Sequence, residues 1–201
     1  MLKNLSVGVH DWQAASLIKD YYPEGLPQEW RFDYYLNEYH AVLVAQSEWL
    51  VWQQADINEL LMARRDGTAL YLAIDDRQNC KNSEVTRLCN DLGDWLAGFV
   101  VFDELWPEQD RTWFDRPVTW VSRHQAWSGW QWHSDGWILS GAPCGWLEDL
   151  TAEPKAQAAL LRDFVKSLPD KNTAVPFFIV SQSINMNRLQ NLKTLAELLG
   201  Y

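Results

Sequence analysis

The sequence predicts an α/β fold built on a parallel sheet. Short continuous apolar runs recur along the chain, the pattern of strands covered on both faces. Between most of them lie segments with apolar residues at helical spacing, three and four apart. The two kinds of segment alternate, and alternation of this sort builds parallel strands joined by helical crossovers.

Leu5 to Val9 (LSVGV) opens the pattern as a short buried strand. Pro23 to Pro27 is a turn, and Pro27 suits the start of a helix whose apolar face is Phe32, Tyr35, Leu36 and Tyr39. Ala41 to Ala45 (AVLVA) reads as the second strand. Asp56 is placed to cap a helix with Ile57, Leu60 and Leu61 on one face, ended by Gly67. Ala69 to Ile74 (ALYLAI) is the third strand, and Asn82 or Ser83 caps a helix presenting Val85, Leu88, Cys89 and Leu92. Leu96 to Phe102 and Val118 to Ser122 are further strands, and Trp137 to Leu139 is a weak one. Pro154 begins a helix carrying Ala156, Leu160, Phe164 and Leu168. Val175 to Val180 is the last strand, and Leu189, Leu192, Leu195, Ala196 and Leu199 form a closing helix. No linker-like or repeated segment divides the chain, so residues 1–201 read as a single domain. Periodicity permits both a closed barrel and an open parallel sheet.

Composition bounds the function. Hydrophobic residues at 47% and charged residues at 22% are those of an ordinary globular chain. The 27 acids and 17 bases give a net charge of −10, which repels nucleic acid phosphates and anionic membranes, so neither is an expected partner. No apolar stretch is long enough to span a bilayer. Three scattered cysteines, with no apolar leader at the N-terminus, point to a cytoplasmic protein. Tryptophan is the unusual entry: 13 residues, eight of them from Trp106 to Trp146. They suit core packing, stacking platforms or a contact surface for a second copy of the chain, so a homodimer is an expected alternative.

The stretch Tyr21 to Trp49 resembles the YecE-like family. Trp12 matches that family's early tryptophan, Tyr22, Pro23, Glu24, Gly25 and Leu26 match its turn, and Trp30, Tyr34 and Tyr35 match its helix. Ser122 to Trp127 (SRHQAW) is similar to its Arg-His segment after a central strand, and the C-terminal strand and helix look alike. The resemblance implies a TIM-barrel-like (β/α)7–8 fold, reduced or irregular in its second half; the open parallel sheet is the alternative. The family brings no reaction with it. Several of its polar positions are apolar or altered here: Leu43, Ala45, Val121, Ser181, Gln182, and Val9, His10 and Asp11 before Trp12. The interval from Trp127 to Pro154 lacks a full helix–strand unit. Together these departures imply a degenerate site.

In a parallel barrel the functional face is formed by the C-terminal strand ends. The expected ligand-binding residues there are His10, Asp11, Trp12, Arg123, Trp127 and Gln182, with the Arg123 guanidinium as an anion anchor. The expected catalytic residues are His124, Asp75, Asp103 and Glu104. Paired carboxylates suit glycosidic hydrolysis, though neighbours such as Asp75 and Asp76 supply one inward group between them. Cys144 is a nucleophile only beside a base. The four histidines show no metal-ligand spacing and no cofactor motif is present, so no metal site and no cofactor is assigned, although the paired carboxylates also suit a hard cation such as magnesium. The leading expectation is a barrel that binds a small molecule or anion. A hydrolase of glycosidic or phosphate bonds and a non-catalytic module with a Trp-rich surface are the alternatives.

Overall fold

The continuous apolar runs do form strands, and a parallel sheet grows from them. The computed structural model describes residues 5–170, 174–181 and 183–201. In chain order the elements are β1 (Leu5–His10), α1 (Ala15–Asp20), α2 (Gln28–Glu38), β2 (Ala41–Val44), α3 (Gln46–Trp49), α4 (Gln54–Ala63), β3 (Ala69–Ile74), α5 (Asn82–Leu92) and β4 (Leu96–Val101). Then follow β5 (Thr112–Trp113), β6 (Arg116–Ser122), β7 (Gln131–Ser134), β8 (Trp137–Gly141), β9 (Gly145–Leu147), α6 (Pro154–Ser167), β10 (Val175–Ile179) and α7 (Met186–Leu198). Pro154 opens α6, but the helix turns Gln157, Ala158, Leu161 and Phe164 inward, a stripe rotated from the one read in the sequence. Asp56 lies in the first turn of α4 and not at its cap. Its carboxylate takes the Gln53 amide in a capping box.

Strands β9, β10, β1, β2, β3, β4 and β6 pair in parallel in that order. β8 then runs antiparallel to β6, and β7 antiparallel to β8. The sheet curls until β7 approaches β9, giving a nearly closed, barrel-shaped α/β fold. It is not the open sheet, and it departs from a regular TIM barrel. Among the described residues no α-helix joins β4 to β6 or β6 to β9. The reason is local. Pro107 interrupts the first connection, and Pro117 already lies in β6, where the chain is extended. In the second, Asp135 (φ 51°) and Gly136 (φ 78°) make a two-residue turn with both residues left-handed, which folds β7 back on β8 as a hairpin.

The edges β7 and β9 are not hydrogen-bonded to one another, and side chains fill the seam. Trp132 of β7 packs its ring 4.9 Å from Phe164 of α6 and 5.9 Å from Phe177 of β10, and its indole N–H bonds Asp163 at 3.1 Å. Gly145 of β9 lets Phe177 lie across it, since a Cβ there would stand 2.0 Å from that ring. None of the eight tryptophans from Trp106 to Trp146 is exposed. They fill space that a helix would otherwise cover, with Trp130 and Trp137 only partly exposed and the other six buried.

On the other side, Tyr35 of α2 reaches between β1 and β2. Its buried hydroxyl accepts the Val9 N–H (2.9 Å) and donates to the Ala41 carbonyl (2.8 Å), where the pairing of the two strands begins. Tyr35→Phe leaves both backbone groups without that partner and is expected to lower stability by about 1–3 kcal/mol, read from urea unfolding. An unchanged midpoint would show that the strands close directly without the hydroxyl.

Candidate functional site

Register and pleat decide which side chains meet inside the sheet. Tyr71 of β3 and Phe178 of β10 touch across it, ring centroids 5.3 Å apart, so both point inward. Partners in a parallel register share a face. From Phe178 and Tyr71 that face runs through Gly8, Leu43, Gly98, Trp146 and, two residues on, His10, Ala73, Val100, Thr119, Val121 and Leu139. Extended past the strand ends, the same alternation brings His10, Asp75, Phe102, Arg123, Trp137, Trp146 and Glu148 to the mouth.

Two groups form there. Arg123 lies 4.0 Å over the Trp137 ring and 3.5 Å from a Glu148 carboxylate oxygen, and both charged side chains are about half exposed (49% and 51%). Trp137 packs edge-on to Trp146 at 5.0 Å, and Trp146 meets Phe102 at 5.8 Å. Facing this aromatic floor, His10 and Asp75 act on one another. Burial lowers the His10 pKa, opposed by the Asp11 and Asp75 charges. Burial raises that of Asp75, opposed by His10. Gln46 of α3 holds the Asp75 segment in place. Its side-chain oxygen accepts the N–H groups of Asp75 (2.5 Å) and Asp76 (2.9 Å), and its amide donates to the Asp76 carbonyl (2.8 Å).

Three ring nitrogens at this end are buried without a hydrogen-bond partner among the described residues: His10 Nε2, Trp137 Nε1 and Trp146 Nε1. Indole N–H groups donate only, so each of the two tryptophans lacks an acceptor.

The other expected residues have local duties. Asp11, at φ 67°, accepts the Gln13 N–H in a tight turn. Asp103 accepts the Arg77 and Leu105 N–H groups. Glu104 accepts the Ser122 hydroxyl at 2.6 Å and the Arg123 N–H at 3.4 Å. Their carboxylates fix the loops around the mouth. His124 is exposed, and its N–H bonds the Ser122 hydroxyl. Trp12 is buried under the first turn. Trp127 stacks on Trp120 (5.4 Å), whose place in β6 is on the outward side, so it lies away from the mouth. Gln182 lies outside the described residues. Burial pushes the Cys144 thiol well up, removing the thiolate that a nucleophile needs. Among the described residues no group of three His, Cys, Asp or Glu side chains is placed to hold a metal. Trp146 and Glu148 were not among the expected site residues. The signal for them was the alternation within the very short strand β9.

No family model, curated protein or solved structure matches this chain.

Two outcomes follow from the site's supports. Gln46→Leu orphans two backbone N–H groups and is expected to cost roughly 2 kcal/mol in chemical denaturation. For His10 the sign follows from its lowered pKa: the unfolded chain takes up the proton first, so stability is lost as pH falls below the unfolded value of 6.5. The melting temperature of His10→Asn is therefore expected to fall less than wild type between pH 7.5 and 5, and parallel curves would contradict the assignment.

Proposed function

We propose that the protein binds a small polar or anionic molecule at the C-terminal strand ends of the barrel. In this reading it is a shortened relative of the YecE-like (β/α) barrels whose second half is rebuilt as a β-hairpin. The observation that carries the binding proposal is the trio of unpartnered buried nitrogens on the inward face, His10 Nε2, Trp137 Nε1 and Trp146 Nε1. A buried donor left unmade costs on the order of 1–3 kcal/mol, so a native structure retains several at one place only for a reason. A ligand carrying acceptor oxygens supplies that reason. Arg123 would bind its negative charge. Its existing pair with Glu148 is long and half exposed, and such pairs are worth about 0–1 kcal/mol, so an incoming carboxylate or phosphate competes with it readily. Trp146 and Phe102 would provide an apolar floor for the ligand's carbon skeleton.

A second reading, hydrolysis of a glycosidic or phosphate bond, is favoured by one observation. The Asp75 carboxyl, raised in pKa by partial burial, feels the charge of His10, whose own pKa burial lowers, which is the combination an acid and a base need. Cytoplasmic location is part of the same proposal.

The experiment is a thermal-shift screen with carboxylates, phosphates and sugar phosphates, followed by calorimetry. One class is expected to raise the melting temperature in a dose-dependent way. Arg123→Ala and Trp146→Phe are each expected to weaken its binding about tenfold or more. Equal affinity in both variants would overturn the site. Asp75→Asn separates the readings: under binding alone it leaves affinity largely intact and there is no turnover to lose, whereas under hydrolysis it abolishes turnover.

A further inference from the structure

Away from the mouth, two depressions meet on the outer face between α2 and α4. The inner, of about 300 Å3, is walled by Trp12, Phe32 and Trp52. The outer, of about 440 Å3, is bordered by Trp30 and Met62, which are 63% and 80% exposed. Both include Glu29 and Glu59. Glu48 and Asp56 complete the inner rim and Asp33 the outer, while no Lys, Arg or His lines either depression. Asp33 is paired with Arg65 at 2.6 Å and Asp56 with the α4 capping box. Glu29 and Glu59 have no ion pair among the described residues. Glu48, at the inner end, receives one neutral hydrogen bond, from the Gln13 amide at 3.2 Å, and Gln28 bonds Gln13 in turn. Burial, then the nearby Asp11 charge, pushes Glu48 up to about 7.

A cleft with aromatic walls, a carboxylate rim and no lining base is complementary to a cation that carries apolar carbon. A bare metal ion fits it poorly, because the carboxylates are spread along the cleft and do not converge as a ligand set. We propose that this cleft binds an aliphatic ammonium group, its charge between Glu48 and Glu59 and its methylene chain over Trp12, Phe32 and Trp52. A linear polyamine and a lysine side chain both present that chemistry. The proposal does not depend on the mouth of the barrel.

The test is isothermal titration of the full chain with spermidine and, separately, with Nα-acetyl-lysine methylamide. Saturable binding of either probe is expected, and the tighter one identifies the source. Glu48→Gln and Glu59→Lys are each expected to weaken it about tenfold, with Arg123→Ala unchanged. Glu59 is exposed on α4, so Glu59→Lys keeps the fold, and circular dichroism checks this. Three results would overturn the proposal: no saturable binding of either probe at millimolar concentration, binding unaffected by both cleft variants, or complete replacement of the signal by magnesium chloride at matched ionic strength. The last would mark general charge screening.

Discussion

The Tyr35 hydroxyl is the contact on which the rest of the barrel rests. β1 lies between β10 and β2, and its ladder with β2 begins where that hydroxyl bridges Val9 to Ala41. The approach is so close that only glycine fits at position 8, since a Cβ there would stand 2.0 Å from the Ala41 carbonyl oxygen. One side chain from α2 thus sets both the spacing of the two strands and the seat of the helix against them. A slip of one residue would exchange the inner and outer faces of every strand that follows.

With that register fixed, the chemistry at the mouth follows from the pleat. Each strand delivers one residue inward at its C-terminal end and turns the next one out. Asp75 is inward and Asp76 serves the loop, while Arg123 is inward and His124 is exposed. The inward set divides in two. His10 and Asp75, both with their charged forms disfavoured by burial, lie on the side built from regular helical crossovers. Arg123, Trp137, Trp146 and Glu148 come from the side where the crossovers are missing. The short β-hairpin brings the Trp137 indole to a rim that a helical crossover would have covered.

Much of this was legible in the sequence, and the misses have physical causes. Runs such as AVLV and ALYLAI declare themselves because a strand buried on both faces has no polar alternation to mask it. His10, Asp75 and Arg123 were legible because they directly follow such runs. β7 and β9 were not, because QWHS and GWL are too short to show a period. The real signal for β7 was the Asp135-Gly136 pair, the turn residues of a two-residue hairpin. The roles of Asp103 and Glu104 were illegible for another reason: a carboxylate that binds loop N–H groups and one that faces a ligand have the same local sequence. Glu48 shows the converse, an ordinary helical acid made unusual only by what packs around it.

The seam at β7 and β9 has one further consequence. Every other neighbouring pair in the barrel is laced by backbone hydrogen bonds, whereas this one is closed by Trp132, Phe164 and Phe177. Side-chain contact parts without breaking a ladder, so the wall costs least to open along this seam. β8 stays laced to β6, so the opening is confined to the line between β7 and β9, and Trp146 of the aromatic floor lies on its β9 edge.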